Sequence, residues 1–118
     1  MITIEYDRAS GEEARKNFGK AGLEGVIDSR INDAFEEIPK IEGNFDFIFI
    51  DAWKPDYAKF LRLLKDRILP GGAIVAHNVT NHAQDMQGFL EAIQNDPTLK
   101  TTFHEISGEG FSVSIKYK

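Results

Sequence analysis

The chain has 118 residues, 42% hydrophobic and 28% charged, with a formal net charge of −5, values that fit one soluble globular domain. No basic stripe is present, which argues against a nucleic-acid partner, and the absence of cysteine excludes disulfides, thiolate metal sites and cysteine nucleophiles. The longest apolar run, near Phe45–Ile50, falls far short of a membrane span, and MITIEYDR lacks the basic-then-apolar order of a signal peptide, so a cytoplasmic setting is expected.

Ile2–Tyr6 alternates and is rich in β-formers, which predicts a short strand. Ser10 and Glu13 have capping-box spacing and predict a helix start, with Ala14, Phe18 and Ala21 on its apolar face and Gly22 as its stop. Val26–Ile31 is a second strand. Asp33 and Glu36 repeat the cap pattern on a short helix closed by Pro39. Phe45–Ile50 (FDFIFI) is nearly continuous in apolar character, as expected of a strand covered on both faces.

Pro55 suits the first turn of the next helix, whose stripe is Tyr57, Phe60, Leu61, Leu64 and Ile68. LPGG ends it, and Ala73–Ala76 is a fourth strand. Met86, Phe89, Leu90 and Ile93 mark a further helix that stops before Pro97. Thr101–Ile106 and Phe111–Tyr117 flank Ser-Gly-Glu-Gly and read as an antiparallel hairpin, with Phe111, Val113, Ile115 and Tyr117 on one face. The alternation predicts a single α/β domain over 1–118, a doubly wound, mostly parallel sheet with an antiparallel edge.

In such sheets ligands bind beyond the C-terminal ends of the parallel strands. Glu5 ends the first strand, where its two oxygens suit two ribose hydroxyls. Asp33 follows the second strand, in a position that also suits a helix cap. Asp51 follows the third, and His77-Asn78 follows the fourth. Asp51, His77 and Asn78 offer two oxygens and one imidazole nitrogen, a plausible divalent-metal set. Lys54, partly desolvated beside a cation, would have a lowered pKa and serve as a base. His82 and His104 read as surface histidines.

IEYD, NDAFE, FDFIFIDAWKPDY and LPGGAIVAHNV, in this order and spacing, resemble the metal-dependent, S-adenosylmethionine-dependent catechol and caffeoyl-coenzyme A O-methyltransferases. The resemblance implies a Rossmann-like methyltransferase fold and a small catechol-like hydroxyl substrate. It implies that Glu5 holds the cofactor ribose and that Tyr6, Asp33 and Ala34 line the adenine. Asp51 and Asn78 would bind metal, with His77 in the remaining ligand position. Lys54 would deprotonate the substrate, and Trp53, with Asp51, would border the cofactor.

Two departures stand out. His77 occupies a position where the family has aspartate, which weakens the case for magnesium and favours manganese, iron, cobalt or zinc, or loss of the metal. The preceding strand with a GxGxG-like turn that the resemblance implies does not occur ahead of Ile2 in this sequence, so a partial domain lacking its first strand is expected. The chain alone is expected to bind S-adenosylmethionine weakly. Either a homodimer or a missing N-terminal segment is expected to complete the sheet, rather than direct pairing of the strands ending at Glu5 and Asp51.

Two other functions fit parts of the sequence. One is a non-catalytic interaction domain derived from a methyltransferase. The other is a phosphoacceptor receiver domain, suggested by the length and the strand-Asp-x-x-x-Pro outline at Asp51–Pro55, with Glu5, Asp7 and Lys116 in supporting roles.

Overall fold

The computed structural model describes residues 1–80, 84–105 and 108–117. His82 therefore lies outside the described residues, as does Ile106 of the expected hairpin. Contacts divide the chain into two compact units, 1–42 and 43–118. Among the described residues no helix is long and apolar enough to cross a membrane.

The first unit runs β1 (Ile2–Glu5), α1 (Arg8–Lys20), β2 (Asp28–Ile31) and α2 (Ala34–Glu37), followed by a 3₁₀ turn over Ile38–Lys40. β1 and β2 pair in parallel, with Ile2 opposite Asp28 and Glu5 opposite Ile31. α1 starts earlier than the Ser10–Glu13 box predicts. Asp7 is its N-cap, and the Asp7 carboxylate accepts from the Ser10 N–H at 2.8 Å. The earlier cap adds most of a turn to the helix and places an anion at its positive end.

Gly22 ends α1 as expected, with φ 72° and a Leu23 N–H to Phe18 carbonyl bond of 2.9 Å that closes the last turn. β2 begins at Asp28 rather than Val26, because the Val26 and Ile27 N–H groups turn back to the Leu23 carbonyl.

The second unit contains β3 (Phe45–Ile50), α3 (Tyr57–Leu64), β4 (Ile68–His77), α4 (Gln87–Asn95), β5 (Leu99–His104) and β6 (Phe111–Lys116). Its sheet has the order β3-β4-β6-β5; β3 and β4 are parallel, and β6 is antiparallel to both β4 and β5. The α/β expectation with a terminal antiparallel hairpin holds. β4 is longer than expected and carries LPGG within it, with a register irregularity opposite Phe45 and Phe47. Gly72 is required there, because a Cβ would lie 2.8 Å from the Asp46 carbonyl oxygen.

The helical stripe predicted from spacing is the core. Tyr57, Phe60, Leu61, Leu64 and Ile68 are all buried, as are Met86, Phe89 and Ile93. The Tyr57 and Phe89 rings meet edge to face at 5.5 Å. Each such side chain contributes roughly 1.5–3 kcal/mol of burial.

Thr101 Oγ1 touches the Ile93 carbonyl at 3.1 Å and Ser114 Oγ at 2.8 Å, which places α4 over the face carrying Ser112 and Ser114. Lys116 Nζ reaches the carbonyl at the end of α3 on that same face. The helices thus cover Ile50, Ile74, Ala76, Ser112 and Ser114.

One expectation fails here. β3 is not covered on both faces: Phe47 is 58% exposed and Phe49 51%. In β6 the serines are buried, while Ile115 on the apolar face is exposed and Phe111 and Val113 are half-buried. Alternation fixes which residues share a face, but it does not say which face receives the helices.

Candidate functional site

The parallel register sets Ile50 opposite Ala76, so the next residues on each strand, Asp51 and His77, emerge side by side. Asp51 Oδ1 lies 3.5 Å from His77 Nδ1. That is longer than the about 2.7–3.2 Å of an N–H···O hydrogen bond. The other ring nitrogen, His77 Nε2, bonds Glu109 Oε2 at 2.8 Å. The ring also stacks on Phe111, its cross-strand partner, at 4.7 Å and 26°. Asn78 follows β4 with φ 65°, the one non-glycine residue with positive φ among the described residues. Asparagine tolerates that region better than most side chains.

Lys54 opens a 3₁₀ turn with Pro55 in its first residues. Its ammonium donates to Asp51 Oδ1 at 3.2 Å and to the Tyr57 hydroxyl at 3.1 Å. Burial pushes the Lys54 ammonium down, but the hydrogen bonds to Tyr57 and Asp51 outweigh it, so its pKa lies above the ordinary lysine value. The expected lowering by burial is present in kind and overridden by these partners.

Tyr57 is fully buried and joins the strand ends. Its hydroxyl receives the Ala52 N–H at 3.3 Å and lies 3.2 Å from the carbonyl oxygens of both Ile50 and His77. Burial holds its phenol above the usual range. Trp53 is 71% exposed and forms no part of the core.

The first unit places its own candidates at strand ends. Glu5 Oε1 accepts from the Asp7 N–H at 3.0 Å. Tyr6 is exposed. Asp33 is the N-cap of α2, accepting from the Phe35 N–H at 2.9 Å, and Ala34 is the first residue of that helix.

Asp51 lies beside both Lys54 and His77. Two residues outside the strand-end reading belong with them: Tyr57, read as a core residue and as the tyrosine that closes the FDFIFIDAWKPDY segment, and Glu109, read only as a turn residue. The Tyr57 signal lay in its three-residue spacing from Lys54. Glu109 carried a weaker one, an acid between two glycines.

The donors suit a divalent cation in part. Two ligand atoms each about 2.1 Å from a tetrahedral metal are about 3.4 Å apart, close to the Asp51–His77 spacing. A carboxylate on the far nitrogen of a ligating histidine is a common support for such a ring. Among the described residues no group of three His, Asp or Glu side chains is placed to hold a metal ion, so a third donor would have to come from an amide such as Asn78 or from water.

Residues 1–79 match a family model described as a methyltransferase domain. The chain belongs to this methyltransferase family. Catechol O-methyltransferase of Niastella koreensis is 39% identical over 83 residues, which are 67% of this chain and 38% of that protein. A crystal structure of a Klebsiella pneumoniae protein, provisionally named an O-methyltransferase, superposes with a TM-score of 0.92 at 26% identity, covering 99% of this chain and 61% of that one. The Bacillus cereus O-methyltransferase solved in complex with SAH has the same fold, with a TM-score of 0.90 at 24% identity over 98% of this chain and 61% of that one. The chain thus spans about three fifths of the length of the solved structures it matches. The family match decides for the methyltransferase over the receiver-domain reading.

Proposed function

We propose that this methyltransferase chain carries the substrate end of an S-adenosylmethionine-dependent O-methyltransferase acting on a hydroxyl of a small, catechol-like molecule in the cytoplasm. The observation that carries the proposal is the convergence of Asp51, Lys54 and His77 at the ends of two parallel strands. Such strand ends are where this class of fold binds ligands.

Asp51, His77 and Asn78 are the residues that would hold a divalent cation. The chemistry it would supply there is Lewis-acid lowering of the pKa of a substrate hydroxyl. Lys54 takes the hydroxyl proton. Lys54, held in its ammonium form by Asp51 and Tyr57, would give up its proton more readily with a cation bound beside it. Trp53 walls the pocket, and Asp51 borders the cofactor. Glu5 accepts from the ribose hydroxyls, and Tyr6, Asp33 and Ala34 bracket the adenine. The SAH in the Bacillus cereus relative supports the choice of cofactor.

Amide chemical-shift mapping tests the assignment. Millimolar S-adenosylmethionine is expected to move the signals of Glu5, Tyr6 and Ala34. Catechol with manganese is expected to broaden those of Asp51, Lys54 and His77. A chain that leaves all six unmoved does not do this chemistry.

A second copy of the chain is proposed as a partner. β3 is an end strand of its sheet, and Phe47 and Phe49 stand exposed on it. Light scattering is expected to give a dimer, and a monomer at high concentration overturns this part.

A further inference from the structure

We infer that Glu109, in the turn between β5 and β6, is a positioning residue for His77: it fixes the ring so that Nδ1 faces Asp51 as a bare ligand atom. The inference rests on the metal site proposed above and adds to it a residue from a distant part of the chain.

The argument begins with the proton. A carboxylate can only accept, so the 2.8 Å contact between Glu109 Oε2 and His77 Nε2 requires hydrogen on Nε2. In a neutral imidazole the other nitrogen, Nδ1, then carries the lone pair. That nitrogen is the one 3.5 Å from Asp51 Oδ1.

The turn is held where it can do this. The Thr80 N–H bonds the Glu109 carbonyl at 3.0 Å, and the Val79 N–H bonds the Gly110 carbonyl at 3.3 Å. Gly110 has φ 74° and packs so tightly on Thr80 that a Cβ would collide with its side chain. The backbone carrying Glu109 is therefore fastened to the segment just after His77. Phe111, stacked on the ring, sets its plane. Glu109 needs only to set which edge of the ring faces which way.

The competing reading is an ordinary surface ion pair. Glu109 is 51% exposed, and such pairs contribute little to stability. That reading predicts no effect at the opposite nitrogen, which makes the two separable.

The test uses the 118-residue chain. Long-range proton–nitrogen correlation spectra of the histidine rings, at a pH well above the imidazole range, report the tautomer, and H77A assigns the signal. The wild type is expected to show hydrogen on Nε2 of His77, and E109A to lose that preference. Cobalt(II) binding, followed by visible absorption, is expected to weaken about 10- to 100-fold in E109A. E109Q, whose amide oxygen can still accept from Nε2–H, is expected to recover most of the affinity. Hydrogen on Nδ1 in the wild type, or unchanged cobalt affinity in E109A, overturns the inference while leaving the metal site intact. A wild type that binds no cobalt overturns the metal site, and the inference with it.

Discussion

The Tyr57 hydroxyl lies 3.2 Å from the backbone carbonyl oxygen of His77, linking the start of α3 to the last residue of β4. The Tyr57 hydroxyl oxygen also receives the Ala52 N–H and the Lys54 ammonium. Replacing Tyr57 by phenylalanine keeps the ring against Phe89 and removes every one of these bonds. The expected cost is about 1–2 kcal/mol in urea unfolding, since buried polar groups are left without partners. A loss below about 0.3 kcal/mol would mean that solvent or other groups already serve those atoms.

Asp96, 7% exposed, follows α4 and accepts from the Thr98 N–H at 2.8 Å, the Thr98 hydroxyl at 2.6 Å and Lys65 Nζ at 3.1 Å. The Thr98 hydroxyl, with the Thr98 N–H and Lys65, holds its carboxyl below the usual range against a smaller opposing effect of burial. A lowered folded-state pKa contributes stability above the unfolded value of about 3.9 and loses it as pH falls through the folded one. The gap between wild type and D96N should be constant from neutral pH to about 5 and close below about 4. Its plateau should be about 1–3 kcal/mol. A gap that widens in acid would show the opposite linkage.

Ser112 is fully buried, and its hydroxyl has no hydrogen-bond partner among the described residues. Removing an unsatisfied hydroxyl relieves a desolvation cost. S112A should be neutral or more stable by up to about 1 kcal/mol in thermal or urea unfolding. A clear loss of stability would reveal a partner, such as an enclosed water.

Calorimetry of S-adenosylmethionine with the 118-residue chain should show binding weaker than micromolar. The glycines at 19, 22 and 25 end or follow helix α1, and Gly108 and Gly110 sit in the hairpin turn between β5 and β6, so neither set forms the strand-to-helix turn that would take the methionine portion of the cofactor. Micromolar affinity would mean that Glu5 and its neighbours suffice.

The buried stripe of α3 was legible because a 3.6-residue repeat of large apolar side chains has one reading as a helix face. The strand ends were legible because Asp51 and His77 each close a β-forming run. The start of α1 was not. Asp7 and Ser10 are both capping types, and the choice between them depends on the end of β1 just before. Glu109 was the hardest. It meets His77 across 32 positions through the β4–β6 register, which no local pattern encodes. The faces of β3 and β6 were half legible: parity could be read, but the side on which α3 and α4 settle could not.

Phe47 and Phe49 have a consequence for handling the molecule. FDFIFI is six residues of high β-propensity with one charge and no proline, on a strand that ends its sheet. Segments of that kind recruit like segments from other molecules into stacked β-structure. Asp46 is the single gatekeeper in the run, and it points to the opposite side from the two phenylalanines. Overproduction would favour insoluble deposits seeded at this strand. A lysine introduced at position 47 or 49 would raise the soluble yield without touching the residues at the strand ends.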